Sequence, residues 1–282
     1  MRPIDLRHKG TDKVICCWVA DGVLVDPGPQ STEDTLLAAL DGDAPRAILL
    51  THIHFDHAGA TGALLRRWPD VPVFVHERGA PHMADPSRLV ASAARLYGGE
   101  EGLRDLWGEV VPVPQDAMRI LRGGETVLDA FRVEYTPGHA SHHVCYLHEP
   151  SGMAFVGDVA GVRIPPSEFV LAPTPPPDID LDAWERSLDV VAGWDPGALG
   201  LTHFGRVDDV GDHLARMRER LHEQARLARA HGSEAFAAGL RQRVAEHAPD
   251  LEVAYEQAAP AEQLYLGLDR WHRKRAEAAA RS

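Results

Sequence analysis

Thr51-His52-Ile53-His54-Phe55-Asp56-His57 decides how this chain is read. The stretch directly follows Ala47-Ile48-Leu49-Leu50, an apolar run of the length and boundary expected for a buried strand rather than a helix. Four side chains able to hold a metal, His52, His54, Asp56 and His57, therefore stand where a strand ends and a loop begins. Layered α/β folds commonly place their reactive groups at such ends. Imidazole combined with carboxylate suits a borderline divalent ion, zinc first and iron or manganese in principle.

Three more strand-like runs end on the same kinds of side chain. Phe131-Arg132-Val133-Glu134-Tyr135 leads into Thr136-Pro137-Gly138-His139. Met153-Ala154-Phe155-Val156 leads into Gly157-Asp158, and Ala198-Leu199-Gly200-Leu201 into Thr202-His203. The HxHxDH stretch followed by His139, Asp158 and His203, in that order, resembles the metallo-β-lactamase superfamily, and within it the glyoxalase-II-like branch. The resemblance covers about the first 205 residues.

The resemblance implies an α/β (α+β) chain folded as a four-layer αββα sandwich. Residues 1–206 would be the catalytic domain and residues 207–282 a helical C-terminal extension. It implies that His52, His54 and His139 hold one metal ion, that Asp56, His57 and His203 hold a second, and that Asp158 bridges the two. Local geometry agrees with that split. Side chains two apart in an extended segment project to one side, so His52 and His54 can share an ion, whereas Asp56 and His57 come a turn later. Asp56 and Asp158 would be catalytic as well as ligating. The implied cofactor is a pair of divalent ions, zinc before iron or manganese. The implied activity is hydrolysis of a thioester, lactone or other ester-like small molecule by a metal-bridging hydroxide. A mononuclear non-haem iron sulfur dioxygenase, acting on a persulfide, shares the motif and is the alternative.

Ligating imidazoles need their second nitrogen anchored. Asp26, closing the run Val23-Leu24-Val25, is the leading candidate for that support. His143 is expected at the site wall and His142 is left open. The proline-rich residues 164–177 leave from the metal face and are too proline-dense for a helix or a central strand. They are expected to wall the substrate cleft, with Phe169, Val170 and Leu171 as apolar contacts. Residues 81–118 read as a helical insertion near the mouth, with Ser87 as an N-cap. In residues 30–40, Ser31 and Asp34 resemble a capping box ahead of Leu36, Leu37 and Leu40. Beyond Arg206, Leu214, Met217, Leu221, Ala225 and Ala228 form an amphipathic helical stripe.

Composition excludes other classes. A formal net charge of −13 over 282 residues argues against a nucleic-acid groove and against an anionic membrane surface as partner. No apolar run approaches the ~20 residues that span a bilayer. The first ten residues carry no secretory signal, and Cys16, Cys17 and Cys145 form neither a metal-spaced pair nor a disulfide framework. A reducing, cytoplasmic location is the expectation, and the sequence names no oligomeric state.

Overall fold

A computed structural model describes residues 1–281. Its strands form two six-stranded sheets. The first runs in order through β1 (Arg2–Asp5), β2 (Cys16–Ala20), β3 (Val23–Val25), β4 (Ala47–Leu49), β5 (Val73–His76) and β6 (Met118–Leu121). The second holds β7 (Thr126–Val127), β8 (Phe131–Tyr135), β9 (Val144–His148), β10 (Met153–Gly157), β11 (Ala198–Leu201) and β12 (Gly205–Val207), again in sequence order across the sheet.

Alternation along each strand sorts side chains between two cores. Cys16, Trp18 and Ala20 of β2, with Val23 and Val25 of β3, face the second sheet and meet Phe131, Tyr146 and Phe155 there. Their neighbours Cys17, Leu24 and Ile48 belong to the larger core shared with the helices. Both faces of the strands are thus covered, which is why these runs are apolar without interruption. Helices α1 (Glu33–Leu40), α2 (Phe55–Ala58) and α3 (Thr61–Arg67) accompany the first sheet. α7 (Leu181–Gly193) links β10 to β11 and buries Trp184, Leu188 and Val191. The result is the αββα sandwich.

Strand direction brings the ligands to one rim. β3, β4 and β5 pair in parallel. β8 and β10 are both antiparallel to β9, and β10 is parallel to β11. The C-terminal ends of β8, β10 and β11 therefore share an edge, and hydrogen bonds tie that edge to the first sheet. Val144 N–H donates to Thr51 O at 2.8 Å and Cys16 N–H to Thr202 O at 2.8 Å. Tyr146 Oη donates to Leu50 O at 2.7 Å and Trp18 Nε1 to Leu201 O at 3.0 Å.

Between β5 and β6 lie α4 (Ala80–Ala84), α5 (Ser87–Ala94) and α6 (Glu100–Trp107). The chain after β12 is helical: α8 (Val210–Ala230), α9 (Ser233–His247), α10 (Glu252–Ala258) and α11 (Ala261–Arg281). The stripe Leu214, Met217, Leu221, Ala225 and Ala228 is the buried face of α8. Among the described residues no helix is long and apolar enough to cross a membrane.

Local expectations fail where a side chain is committed elsewhere. Ser31 lies in a 3-10 turn and donates to Leu106 O at 2.9 Å, so it does not cap α1. Ser87 is the first residue of α5 and not its cap; its N–H donates to Asp85 Oδ1 at 3.1 Å. β1, β7 and β12 have little sequence signal. They are short, β1 contains Pro3 and two charges, and only pairing with a longer neighbour makes them strands.

The C-terminal helices grip the proline-rich residues 164–177. Gln224 of α8 makes paired hydrogen bonds with Ala172 N and O, both 2.9 Å. Tyr255 of α10 donates to Phe169 O at 2.6 Å and accepts from Ile164 N at 3.2 Å. Thr174 Oγ1 donates to Leu264 O of α11 at 3.0 Å. A Cβ on Gly267 would lie 2.0 Å from Thr174 O, so only glycine lets α11 approach this closely. Gly267→Val is expected to cost about 1–3 kcal/mol of stability, the usual cost of overpacking. A denaturant titration checks this, and an unchanged midpoint would mean that the contact relaxes freely.

Candidate metal centre

The backbone delivers seven side chains to the shared rim. His52 and His54 come from the loop after β4, and Asp56 and His57 from α2. His139, Asp158 and His203 follow β8, β10 and β11. They fall into two groups whose candidate donor atoms lie within 4.8 Å of one another: His52, His54, His139 and Asp158; and Asp56, His57 and His203. Asp158 faces both groups. Its Oδ2 is 3.2 Å from His139 Nε2, and its Oδ1 is 3.3 Å from His57 Nε2 and 3.6 Å from His203 Nε2. Asp56 Oδ2 lies 3.3 Å from His203 Nε2.

Four of the five rings are fixed from behind by a partner that settles the tautomer. His139 Nδ1–H donates to Pro173 O at 2.8 Å and His203 Nδ1–H to Val14 O at 2.7 Å, because a carbonyl can only accept. His57 Nδ1–H donates to Asp26 Oδ2 at 2.8 Å. Thr51 Oγ1 gives its own proton to Asp26 and so accepts from His52 Nδ1–H at 3.1 Å. In the neutral rings the four Nε2 atoms are left facing inward as lone pairs. His52 Nε2 and His139 Nε2 both sit 3.0 Å from His54 Nδ1, three ring nitrogens converging on one point.

The donor set fits divalent cations. His57 Nε2, His203 Nε2 and Asp158 Oδ1 are buried without a hydrogen-bond partner, a costly arrangement unless a cation satisfies them. Burial first, and neighbouring imidazoles second, hold His52 and His54 below the usual imidazole range, His54 at about 4. Burial acts the same way on His57 and His203, but the carboxylates of Asp158 and Asp56 outweigh it and raise both. Carboxylates that draw protons onto these two rings draw a doubly charged ion to the same place more strongly.

Asp26 is fully buried and accepts four hydrogen bonds. Its Oδ1 takes Thr51 N–H at 2.8 Å; its Oδ2 takes Thr51 Oγ1 at 2.7 Å, His57 Nδ1 at 2.8 Å and Thr202 Oγ1 at 2.9 Å. His143 is not in the cleft wall, where the sequence reading put it. It lies behind Asp158, accepting from Asp158 N–H at 3.3 Å through Nε2 and meeting Thr136 Oγ1 at 3.0 Å through Nδ1. The preceding Gly157 has φ +47, and a Cβ there would be 2.7 Å from His143 Nε2. His142 stacks 6.1 Å from His52, one layer further out.

A cleft of about 370 Å³ opens on His54, Asp56 and Asp158. One wall is α5, α6 and the turn between them, through Leu89, Leu96, Tyr97 and Trp107; another is Pro173 and Pro175–Pro177; the third is Ala258, Ala259 and Leu264, at the junction of α10 and α11. The expectation for Phe169 is overturned. It is buried against Tyr255, 5.9 Å between ring centres, and faces a different hollow with Arg220 and His247. Val170 and Leu171 are buried beside it, so only the later prolines of the segment reach the cleft. The sequence reads His8 as an ordinary surface or core residue. It lines the cleft, stacked on Trp107 at 5.0 Å, and nothing around it in sequence marks it.

Two face-to-face sheets with a buried His/Asp cluster at their common rim define a metal-binding αββα protein. A family model described as "Metallo-beta-lactamase superfamily" matches residues 17–203, and the chain belongs to that superfamily. Two Bacillus subtilis (strain 168) proteins are similar. The "Probable metallo-hydrolase YqgX" is 33% identical over 139 residues, 49% of this chain and 60% of that one. The "Probable metallo-hydrolase YflN" is 31% identical over 209 residues, 64% and 74%. A "Hydroxyacylglutathione hydrolase" of Xylella fastidiosa (strain M23) is 32% identical over 136 residues, but the chain spans only 40% of its length. Among solved structures, ST1585 from Sulfolobus tokodaii aligns with TM-score 0.61 at 27% identity, covering 75% of this chain and 80% of that one. TTHA1623, solved "in a di-iron-bound form", aligns with TM-score 0.56 at 28% identity, covering 72% and 93%.

Asp26→Asn keeps the shape and loses the charge that orients His57. Metal affinity, measured by competition with a chromogenic chelator, is expected to fall roughly 10–100-fold while the fold persists. Unchanged affinity would show that Asp26 serves only the junction of the two sheets.

Proposed function

We propose that this chain is a metal-dependent hydrolase of small ester-like substrates, thioesters or lactones, that binds two divalent ions, zinc before iron or manganese. The observation that carries this reading is the convergence of seven side chains in two groups sharing Asp158. In this reading His52, His54 and His139 hold one ion, Asp56, His57 and His203 the other, and Asp158 spans them. Bound there, divalent ions supply Lewis acidity toward an acyl oxygen and lower the pKa of water to near ~7.

The chain's own residues do the remaining work. Asp56 lines the cleft and is partly open to it, so its carboxylate can orient an attacking water and receive its proton. Asp26, Val14 O, Pro173 O and Thr51 keep the rings in the tautomer that binds a cation, so little reorganisation precedes reaction. The apolar walls exclude bulk water from the acyl group. Similarity to the hydroxyacylglutathione hydrolase supports a thioester substrate, and the di-iron-bound form of the similar TTHA1623 supports iron as a competitor of zinc.

Elemental analysis of protein from metal-replete growth is expected to give two ions per chain. His54→Ala is expected to lower kcat/KM for a thioester or lactone by about 10²-fold or more, with the fold intact by circular dichroism. Asp158→Ala is expected to be worse, since the two cations would face each other with less charge between them. One iron per chain, with oxygen uptake on a persulfide and no hydrolysis, would replace this reading by the dioxygenase.

A further inference from the structure

The walls of the cleft carry a chemical preference of their own. Leu89, Leu96 and Trp107 stand on one side, Leu264 and the prolines of 175–177 on the others. The ionisable side chains that line it are His8, His54, Asp56, Tyr97, Asp158 and Glu256; no lysine or arginine is among the lining residues. Glu256 is held from outside the cleft by Arg241 at 2.8 Å, and that guanidinium is shared with Glu262. His8 stays neutral, since burial lowers it to about 4. Away from the ions at the floor, an anionic arm of a substrate would lose water here and find no cation on the walls, only the carboxylate of Glu256.

The rings of His8 and Trp107 stack at 5.0 Å, with His8 Nδ1 and Trp107 Nε1 buried away from the cleft surface. Ser92, Gln257 and Gln263 line the cleft, and their neutral side chains can serve an uncharged polar group such as an amide or hydroxyl.

We propose that the acyl part of the substrate is an uncharged, apolar chain or ring carrying at most a neutral polar substituent, lodged between α5–α6 and α10–α11, and that substrates with anionic arms, glutathione thioesters included, are disfavoured. This rests on the hydrolase reading above. The oxygen of water bonds to the acyl carbon, the C–S or C–O bond breaks, and the leaving thiolate or alkoxide takes a proton that water supplies. A carboxylate and a thiol or alcohol result, or a hydroxy acid from a lactone, and no oxidant or reductant takes part.

The test uses thioesters of N-acetylcysteamine, a neutral thiol, with acyl chains of increasing length, a matching series ending in a carboxylate, and a hydroxyacylglutathione. kcat/KM is expected to rise about fourfold for each methylene buried until the cleft is filled. The carboxylate-ended acyl chains are expected to be slower by about tenfold or more at equal length. Leu96→Arg places a cation on an exposed part of the wall, so the fold should tolerate it. It is expected to narrow that tenfold gap. Calorimetric binding of neutral 2-alkanones to the metal-loaded protein gives a second readout, with affinity expected to rise with chain length. Turnover that is flat along the neutral series, or fastest on hydroxyacylglutathione, overturns the proposal and leaves the hydrolase reading standing. Alkanone binding that rises with length, without turnover of any ester, supports the apolar cleft and removes the hydrolase reading instead.

Discussion

One buried carboxylate holds the functional edge together. Asp26 ends β3, yet its four hydrogen bonds reach the loop after β4, the ring of His57 and the end of β11 in the other sheet. A carboxylate without exposure to water is stable only when its oxygens are occupied, and here every donor it accepts from stands beside a candidate ligand. The requirement therefore acts in both directions. The sheets must meet at this edge for Asp26 to be satisfied, and once it is satisfied, His52, His57 and His203 can take few other positions.

The other anchors extend the same logic outward. His139 is fixed by Pro173 O, and Pro173 belongs to the segment that Gln224, Tyr255 and the close approach of Gly267 hold in place. The C-terminal helices are thus connected to a candidate ligand through backbone atoms. His203 is fixed by Val14 O, which lies at the entry to β2. Ring orientation at the cluster depends on elements more than a hundred residues away in sequence, as expected when partners behind the ligands set their direction.

The cleft shows a different division of labour. Its floor is built by the strand ends that carry the candidate ligands. Its walls come from the insertion between β5 and β6, the prolines after β10 and the terminal helices. Those segments lie outside the two sheets, so the selectivity argued from them rests on this chain's own side chains.

By itself, the sequence determined the order of the candidate ligands His52, His54, Asp56, His57, His139, Asp158 and His203, and the strands that deliver them. Both signals are local: short apolar runs, each ending on a chemically distinctive side chain. Asp26 was legible for the same reason, as an acid at a strand end. The sequence did not place Phe169, whose apolar neighbours promised a cleft wall but which packs under α9 and α10. It gave no sign of His8, and it assigned caps to Ser31 and Ser87 whose hydrogen bonds go elsewhere. Tertiary structure decided these because each depends on a partner from a distant segment. Burial of an apolar side chain is legible in sequence, but the surface against which it is buried is not.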